Sequence, residues 1–365
     1  MMLGLVERLG RRALFCLDPE TSHGVSIKAL KSGLPVALSP RYDLRLKPTV
    51  AGIAFDNPLG MAAGYDKNAE VSDALLRLGF GFAEVGTVTP LPQSGNPKPR
   101  IFRLTEDRAV INRLGFNNEG HEKAERRLAE RIWRAGIVGV NIGANKDSAD
   151  RIRDYELGVR RFAPLAAYLT VNISSPNTPG LRDMQARASL AELLSRVVAA
   201  RDAAAPKAGR KVPLFLKIAP DLREADLEDI AAEVLENGLE GVIVSNTTIV
   251  RPALTPSAHS GETGGLSGRP LFERSTVVLA RMRRLLGPHI AIIGVGGVDS
   301  AETALEKIRA GADLVQLYTG MIYEGPGIAA RIARGMARFA ERENLSSIRD
   351  IRDSGVDRWA ATPLD

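Results

Sequence analysis

One cysteine is all the thiol chemistry this 365-residue chain carries, and Cys16 lies near its start. A single thiol makes no internal disulfide, which fits a reducing compartment best. Histidine is equally scarce: the four, at 23, 121, 259 and 289, are scattered, so neither zinc-ligand spacing nor a structural metal is expected. No run approaches the roughly 20 apolar residues that span a bilayer, so no transmembrane helix is expected. Disorder is excluded by composition, since 44% of residues are hydrophobic and 25% charged, the balance of a chain that buries a full core. Its 35 glycines follow no G-X-Y period, which excludes a collagen-like fibre. Forty-nine Lys and Arg against 43 Asp and Glu leave a net charge of +6 on a mixed surface, a weak preference for anionic partners and no argument for nucleic acid. The length suits one large domain or two ordinary ones.

Residues 1–40 differ in kind from the rest. Met2, Val6, Leu9, Ala13 and Cys16/Leu17 recur at helical spacing, with Glu7, Arg8, Arg11 and Arg12 on the other face, which predicts an amphipathic helix. Asp18-Pro19-Glu20 breaks it and starts a second short helix to about Ser32, which Gly33 and Pro35 end. The segment lacks the continuous apolar core and small-residue cleavage site of a secretory signal. A first helix of ~14 residues is ~21 Å long at ~1.5 Å per residue, too short for a ~30 Å hydrocarbon core. Its make-up suits a helix lying in a membrane interface, although an ordinary packing helix has the same pattern.

From residue 42 the pattern changes. Residues 44–50 and 53–55 read as a short hairpin. Eight apolar runs follow, at 58–63, 82–88, 138–142, 168–173, 214–218, 241–244, 290–295 and 314–317. Amphipathic stretches separate them near 69–79, 119–135, 150–163, 187–204, 222–237, 271–286, 300–310 and 326–342. This alternation is that of an α/β protein, a (β/α)8 TIM barrel with a small N-terminal helical extension. A doubly wound sheet is the alternative, disfavoured because the repeats show no reversal point. Two connections, 89–118 and 246–270, are long and rich in Gly, Pro and Asn, the character of lids or binding loops. The division expected is 1–40 as the helical region and 41–365 as the barrel.

A barrel's active site forms at the C-terminal ends of its strands, so the residue after each apolar run is a site candidate. Those positions hold Gly64-Tyr65-Asp66-Lys67, Gly86-Thr87-Val88-Thr89, Asn141, Asn172 through Thr178, Lys217, Ser245-Asn246-Thr247-Thr248, Gly294-Val295-Gly296-Gly297 and Tyr318-Thr319-Gly320. Any one could be an ordinary polar strand end. Together, amides and lysines without histidine, paired glutamates or metal ligands suggest a planar anionic ligand held by many hydrogen bonds, not hydrolysis by an acid–base pair. Gly296-Gly297 and Thr319-Gly320 follow runs seven and eight, where such barrels bind phosphate. The glycines do not spell G-x-G-x-x-G, so a mononucleotide fits better than a dinucleotide, with FMN the leading candidate.

At these residues the sequence resembles dihydroorotate dehydrogenase, specifically the quinone-dependent, membrane-associated class. The resemblance rests on Met61-Ala62-Ala63-Gly64-Tyr65-Asp66-Lys67-Asn68, on Glu84 through Pro90, on Ile111 through Asn118 and on Asn172 through Arg182. Tyr65 and Ser245 depart from the Leu and Thr more usual in bacterial members. The resemblance implies FMN held by Ala63, Gly64, Tyr65, Asp66, Lys67, Thr87, Asn141, Asn172, Lys217, Ser245, Gly268, Gly297, Tyr318 and Thr319. It implies dihydroorotate held by Lys67, Asn112, Arg113, Leu114, Gly115, Phe116, Asn172, Asn177, Asn246 and Thr247, with Ser175 as the catalytic base. A hydroxyl is a poor base at neutral pH, so a relay through Thr178 and a water is expected; taken alone, Ser175 before Pro176 would read as a turn residue. Soluble relatives use a cysteine at the base position, which Cys16 cannot fill, and the same lack argues against a tRNA-dihydrouridine synthase. A ligand-binding barrel without catalysis is the remaining alternative. What the resemblance implies overall is oxidation of (S)-dihydroorotate to orotate in pyrimidine biosynthesis, with a membrane quinone as acceptor and no nucleic-acid partner. It also implies peripheral attachment through residues 1–40 at the cytoplasmic face of the inner membrane. His23, Arg103 and Tyr318 would lie towards the quinone.

Overall fold

The computed structural model describes residues 10–33 and 43–364. Residues 10–15 are helical, and α1 (Pro19–Lys31) follows after Asp18, whose carboxylate accepts the backbone N–H of Glu20 and Thr21 as an N-cap. The expected positions Met2, Val6, Glu7, Arg8 and Leu9 lie outside the described residues. A hairpin, β1 (Thr49–Val50) with β2 (Ile53–Ala54), is shorter than the 44–50 and 53–55 expected. Asp43 accepts the Arg45 N–H at 3.0 Å and turns Leu44–Leu46 into a single 3-10 turn instead of a strand.

The chain continues through β3 (Leu59–Met61), α2 (Ser72–Arg77), β4 (Phe82–Val88), β5 (Ile101–Leu104), β6 (Ala109–Asn112), α3 (Gly120–Ala129), β7 (Ile137–Ile142), α4 (Arg151–Phe162) and β8 (Leu169–Asn172). It goes on through α5 (Arg187–Ala208), β9 (Leu214–Ile218), α6 (Glu224–Glu236), β10 (Gly241–Val244), β11 (Gly265–Gly268), α7 (Phe272–Leu286) and β12 (Ala291–Val295). Then come α8 (Ala301–Arg309), β13 (Leu314–Leu317), α9 (Thr319–Glu324), α10 (Ile328–Arg342) and α11 (Val356–Ala360). Strands β3, β4, β7, β8, β9, β10, β12 and β13 close into a parallel barrel in that order; four match the expected runs, β7 is one residue longer, and β3, β8 and β12 are shorter by one to three residues. The strands are buried on both faces, which is why they read as continuous apolar runs.

The two long connections carry more structure than loops. β5, β6 and β11 form a separate antiparallel sheet over the barrel, with Leu266 opposite Ile111 and Ile111 opposite Phe102. Phe102, Leu104, Ala109, Ile111 and Leu266 make its own small core. Each strand is only four residues, and Arg103, Asp107 and Arg108 interrupt the apolar pattern, which hid the alternation. Two expected helices are also shorter. The Asp66 carboxylate accepts the N–H groups of Glu70 and Val71, at 2.7 and 2.9 Å, and holds that stretch as a loop before α2. The helix expected at 119–135 gives way to turns after Ala129.

The barrel interior is layered. At its N-terminal end Phe82, Tyr168 and Phe215 stack edge to face, and Phe55 from the hairpin covers them. Gly60, Gly139 and Gly241 make room for these rings, because a Cβ there would lie 2.3, 2.2 and 2.3 Å from them. Side chains two residues on share the same strand face. That step replaces Phe82, Tyr168, Phe215 and Leu314 by Glu84, Thr170, Lys217 and Gln316, all buried. An aromatic plug thus supports a polar layer, and the polar layer forms the base of the site.

Candidate active site

A cavity of about 740 Å³ opens at the C-terminal ends of the strands. It gathers Ala63, Gly64, Tyr65, Lys67, Thr87, Asn172, Lys217, Ser245, Gly268, Gly297, Tyr318 and Thr319 from the expected cofactor set. From the expected substrate set it gathers Asn112, Leu114, Gly115, Phe116, Asn177, Asn246 and Thr247, together with Ser175. Three expected residues are not on its wall. Asp66 faces the loop it caps, Arg113 pairs with Glu262 at 2.7 Å and stacks on Phe102, and Asn141 stands behind Thr87 and Asn172.

One side of the cavity is shaped by glycine. Gly296 and Gly297 follow β12 with φ of +114° and +73°, a backbone that disfavours any side chain. A Cβ on Gly297 would also meet Phe272 Cβ at 2.4 Å, and one on Gly296 would meet Ser275 Oγ at 2.5 Å. Gly268 and the Ser267–Thr319 hydroxyl pair, 2.8 Å apart, lie nearby. Exposed backbone N–H groups without Cβ atoms suit a phosphate. Ser300 caps α8 with its side chain on the Thr303 N–H.

Two lysines supply the positive charge. Burial holds Lys67 down at about 8, with the Glu20 and Asp66 carboxylates opposing that shift and Arg100 adding to it. Burial also lowers Lys217, and the nearby Glu84 carboxylate opposes it. Lys67 therefore still carries its proton at neutral pH.

The amides are locked across strands. Asn141 donates to Glu84 Oε1 at 2.8 Å and accepts from Thr87 at 2.6 Å and from Asn172 at 3.1 Å. Asn172 accepts in turn from the Ser174 hydroxyl at 2.8 Å, and Ser174 accepts from Asn246 at 3.0 Å. Asn177 donates to Asn112 at 3.3 Å. Ser175 Oγ accepts the Asn177 N–H at 3.2 Å, and among the described residues no hydrogen bond joins it to the buried Thr178. Sequence reasoning missed the supports of these loops. Arg182 ties the Ser174 carbonyl, the Thr247 carbonyl and Asp221 together, and Asn96 donates to the carbonyls of Arg113 and Asn177. It also missed Glu84 and Gln316, although a charge inside an apolar strand run was a visible signal.

The outer end of the cavity is of another kind. Leu14, Phe15, Pro19, Ala29 and Leu30 from the helical segment face Ile101, Val110, Met321 and Ile322. Arg103 lies over the Phe15 ring at 4.8 Å and donates to the carbonyls of Phe15 and Leu17 and to Ser22. Arg11 donates to the Tyr323 carbonyl. Where the two ends meet, the rings of His23, Tyr65 and Tyr318 cluster, with His23 5.2 Å from Tyr65 and Tyr65 5.6 Å from Tyr318. Lys67 Nζ lies 3.3 Å from His23 Nε2. Burial, and the Lys67 charge behind it, hold the His23 imidazole neutral down to about 3.

Residues 45–339 match the family model described as dihydroorotate dehydrogenase. The chain is 71% identical over 362 residues to a dihydroorotate dehydrogenase (quinone) of Mesorhizobium japonicum, covering 99% of this chain and 100% of that protein. It is 67% identical to the protein of the same name from Sinorhizobium fredii, covering 98% and 99%. Among solved structures it resembles the DHODH of Eimeria tenella in complex with ferulenol, at a TM-score of 0.87 and 41% identity, covering 92% of this chain and 95% of that one. The ligand-free form of that enzyme gives a TM-score of 0.87 at 40% identity, covering 92% and 99%.

Proposed function

Since this chain belongs to the dihydroorotate dehydrogenase family, we propose that one cavity serves both halves of the family's reaction, one at each end. The chain is an oxidoreductase that oxidises (S)-dihydroorotate to orotate in pyrimidine biosynthesis, with a quinone as electron acceptor.

The cofactor is FMN. The residues fit it: the Gly296-Gly297 turn, closed to any Cβ, suits the phosphate, and Lys217 with Thr87, Asn172 and Ser245 suits the ring edge. When bound, FMN would supply a hydride acceptor for C6 of dihydroorotate and a donor of electrons to the quinone. Asn112, Asn177, Asn246 and Thr247 answer the alternating N–H and C=O edge of the pyrimidine, and Lys67 answers its carboxylate. A site of fixed amides rejects analogues that leave them unpaired. Ser175 takes the proton at C5 as it passes its own hydroxyl proton to water. Its Oγ is oriented by the Asn177 N–H, which leaves its own hydrogen uncommitted among the described residues. The positive charge of Lys217 sits where negative charge gathers on reduction.

The quinone comes in between the helical segment and the barrel, past His23, Arg103 and Tyr318. Residues 1–40 attach the protein peripherally to the cytoplasmic face of the inner membrane, and residues 41–365 form the catalytic barrel. Among the described residues no helix is long and apolar enough to cross a membrane. Exposed Leu17 and Val25 beside the apolar mouth support surface attachment. The observation that carries this reading is the convergence of the strand-end amides, two lysines and Ser175 on one cavity with a glycine cradle. Its test is the visible spectrum of the purified protein, with and without dihydroorotate in the absence of oxygen. A yellow protein that bleaches on addition is expected, and a colourless one would overturn the reading.

A further inference from the structure

Glu84 has no place in the scheme above, yet it is a charged residue fully buried in the barrel. Its side chain is fully buried inside the strands, where an ionised carboxylate is tolerated only with charge and hydrogen-bond compensation. The compensation is present. Oε2 accepts from the Tyr168 hydroxyl at 3.0 Å and Gln316 Nε2 at 2.9 Å, and Oε1 accepts from Asn141 Nδ2 at 2.8 Å. All three neighbours act as donors, the pattern of an ionised carboxylate. The same polar layer holds Lys217, whose strand pairs with β8 so that it lies beside Asn172. The Glu84 carboxylate opposes the lowering of Lys217 by burial.

We propose that Glu84 is a positioning residue that acts through Lys217: its carboxylate is the buried countercharge that limits how strongly the site attracts electrons. The inference rests on the reading that FMN lies over Lys217. An unopposed ammonium in a low-dielectric pocket would favour the reduced, anionic cofactor strongly, and so make its reoxidation harder. A carboxylate beneath the lysine offsets that field. It also fixes the hydrogen-bond direction of the amides. Because Glu84 only accepts, Asn141 turns its NH2 downward and its oxygen toward Thr87 and Asn172. The same sense runs on through Asn172 and Ser174 to Asn246.

Glu84→Gln separates the two effects. Gln316 Oε1 has no partner, so its amide can turn to accept from the new side-chain NH2, and the Tyr168 hydroxyl can rotate as well. The hydrogen bond from Asn141 survives while the charge is lost. The experiment measures the midpoint potential of bound FMN in the full-length holoprotein, with Glu84→Gln, Lys217→Met and the double variant compared with wild type. The expectation is a positive shift for Glu84→Gln, meaning tighter relative binding of reduced over oxidised FMN by about tenfold, or ~30 mV for a two-electron couple. Lys217→Met shifts the other way, and the double variant returns toward wild type. A wild-type potential in Glu84→Gln, with Lys217→Met shifted, would make Glu84 merely structural and overturn the inference. No shift in either single variant would remove Lys217 from the flavin, and a wild-type protein without FMN would defeat the functional reading itself. If Glu84→Gln does not retain FMN, Glu84→Asp carries the test, since it keeps the charge. A wild-type potential is then expected, and a positive shift contradicts the inference.

Discussion

The two ends of the cavity are built on opposite principles. At the inner end polar side chains come from strand ends, and the amides hydrogen-bond across strands, as Asn141 does to Thr87 and Asn172. At the outer end the wall is mostly apolar, and the helical segment is held by a few side chains. Arg103 grips the carbonyls of Phe15 and Leu17, Glu20 receives Arg100 at 2.7 Å, Lys31 meets Glu70 at 2.8 Å, and Ile27 and Leu30 reach the core. The difference suits the two partners. A small polar substrate is selected by fixed hydrogen bonds, whose loss costs affinity and rate. A hydrophobic acceptor needs a dry path and little directional bonding, and a lightly held segment can yield to it.

The largest effect expected is at the inner end alone. Ser175→Ala retains FMN and binds orotate, but reduction of the cofactor by dihydroorotate falls by roughly 10²–10⁴-fold, the span of a lost general base. Stopped-flow bleaching near the wild-type rate would remove Ser175 from the chemistry. Ser175→Cys recovers part of the loss as the pH rises past about 8, where a thiolate forms.

A smaller effect is expected at the outer end. Arg103→Ala frees the carbonyls of Phe15 and Leu17, and reoxidation by a hydrophobic quinone slows by about tenfold, the ~1.4 kcal/mol of one charge-assisted hydrogen bond. Reduction by dihydroorotate stays at its wild-type rate. An equal loss in both steps would mean that the two ends are not separable at this residue.

These ends were not equally legible. Ser175, Asn172, Asn177 and Lys217 could be read because each sits just past, or near the end of, an apolar run, and topology alone sends such residues to one rim. Glu84 and Gln316 sit inside their runs, and only knowledge of which strand face points inward gives them meaning. Arg182 and Asn96 escaped because they act through backbone carbonyls of other loops. The β5–β6–β11 sheet escaped because short strands broken by charges carry almost no pattern. Asp66 and Arg113 belonged to the right segments but turn away from the cavity, a matter of side-chain direction that motif position does not set. At the outer end, the Arg103 contacts that seat the helical segment required the structure.

The smallest effect expected is one of pH. His23 is neutral in the folded protein down to about 3, whereas in an undocked segment it takes a proton near 6.5. A depressed folded value means that the undocked state binds the extra proton. The docking of residues 10–33 is therefore complete above about pH 6.5 and weakens progressively as pH falls below it. Between pH 7 and pH 5, the protection factors of α1, corrected for the intrinsic pH dependence of amide exchange, should fall while those of the barrel strands stay high. His23→Gln should remove that dependence. Protection factors in α1 that do not change with pH in the wild type would mean that His23 does not control docking.

The division of labour between the ends is tested most directly by deleting residues 1–40 and timing the two half-reactions separately. The account predicts that dihydroorotate still bleaches the bound FMN at the wild-type rate. It predicts that a small water-soluble acceptor still reoxidises it, while reoxidation by a long-tailed quinone and retention on membranes are lost. Equal loss of reduction and reoxidation would contradict it, and would make the helical segment a packing element of the barrel and nothing more.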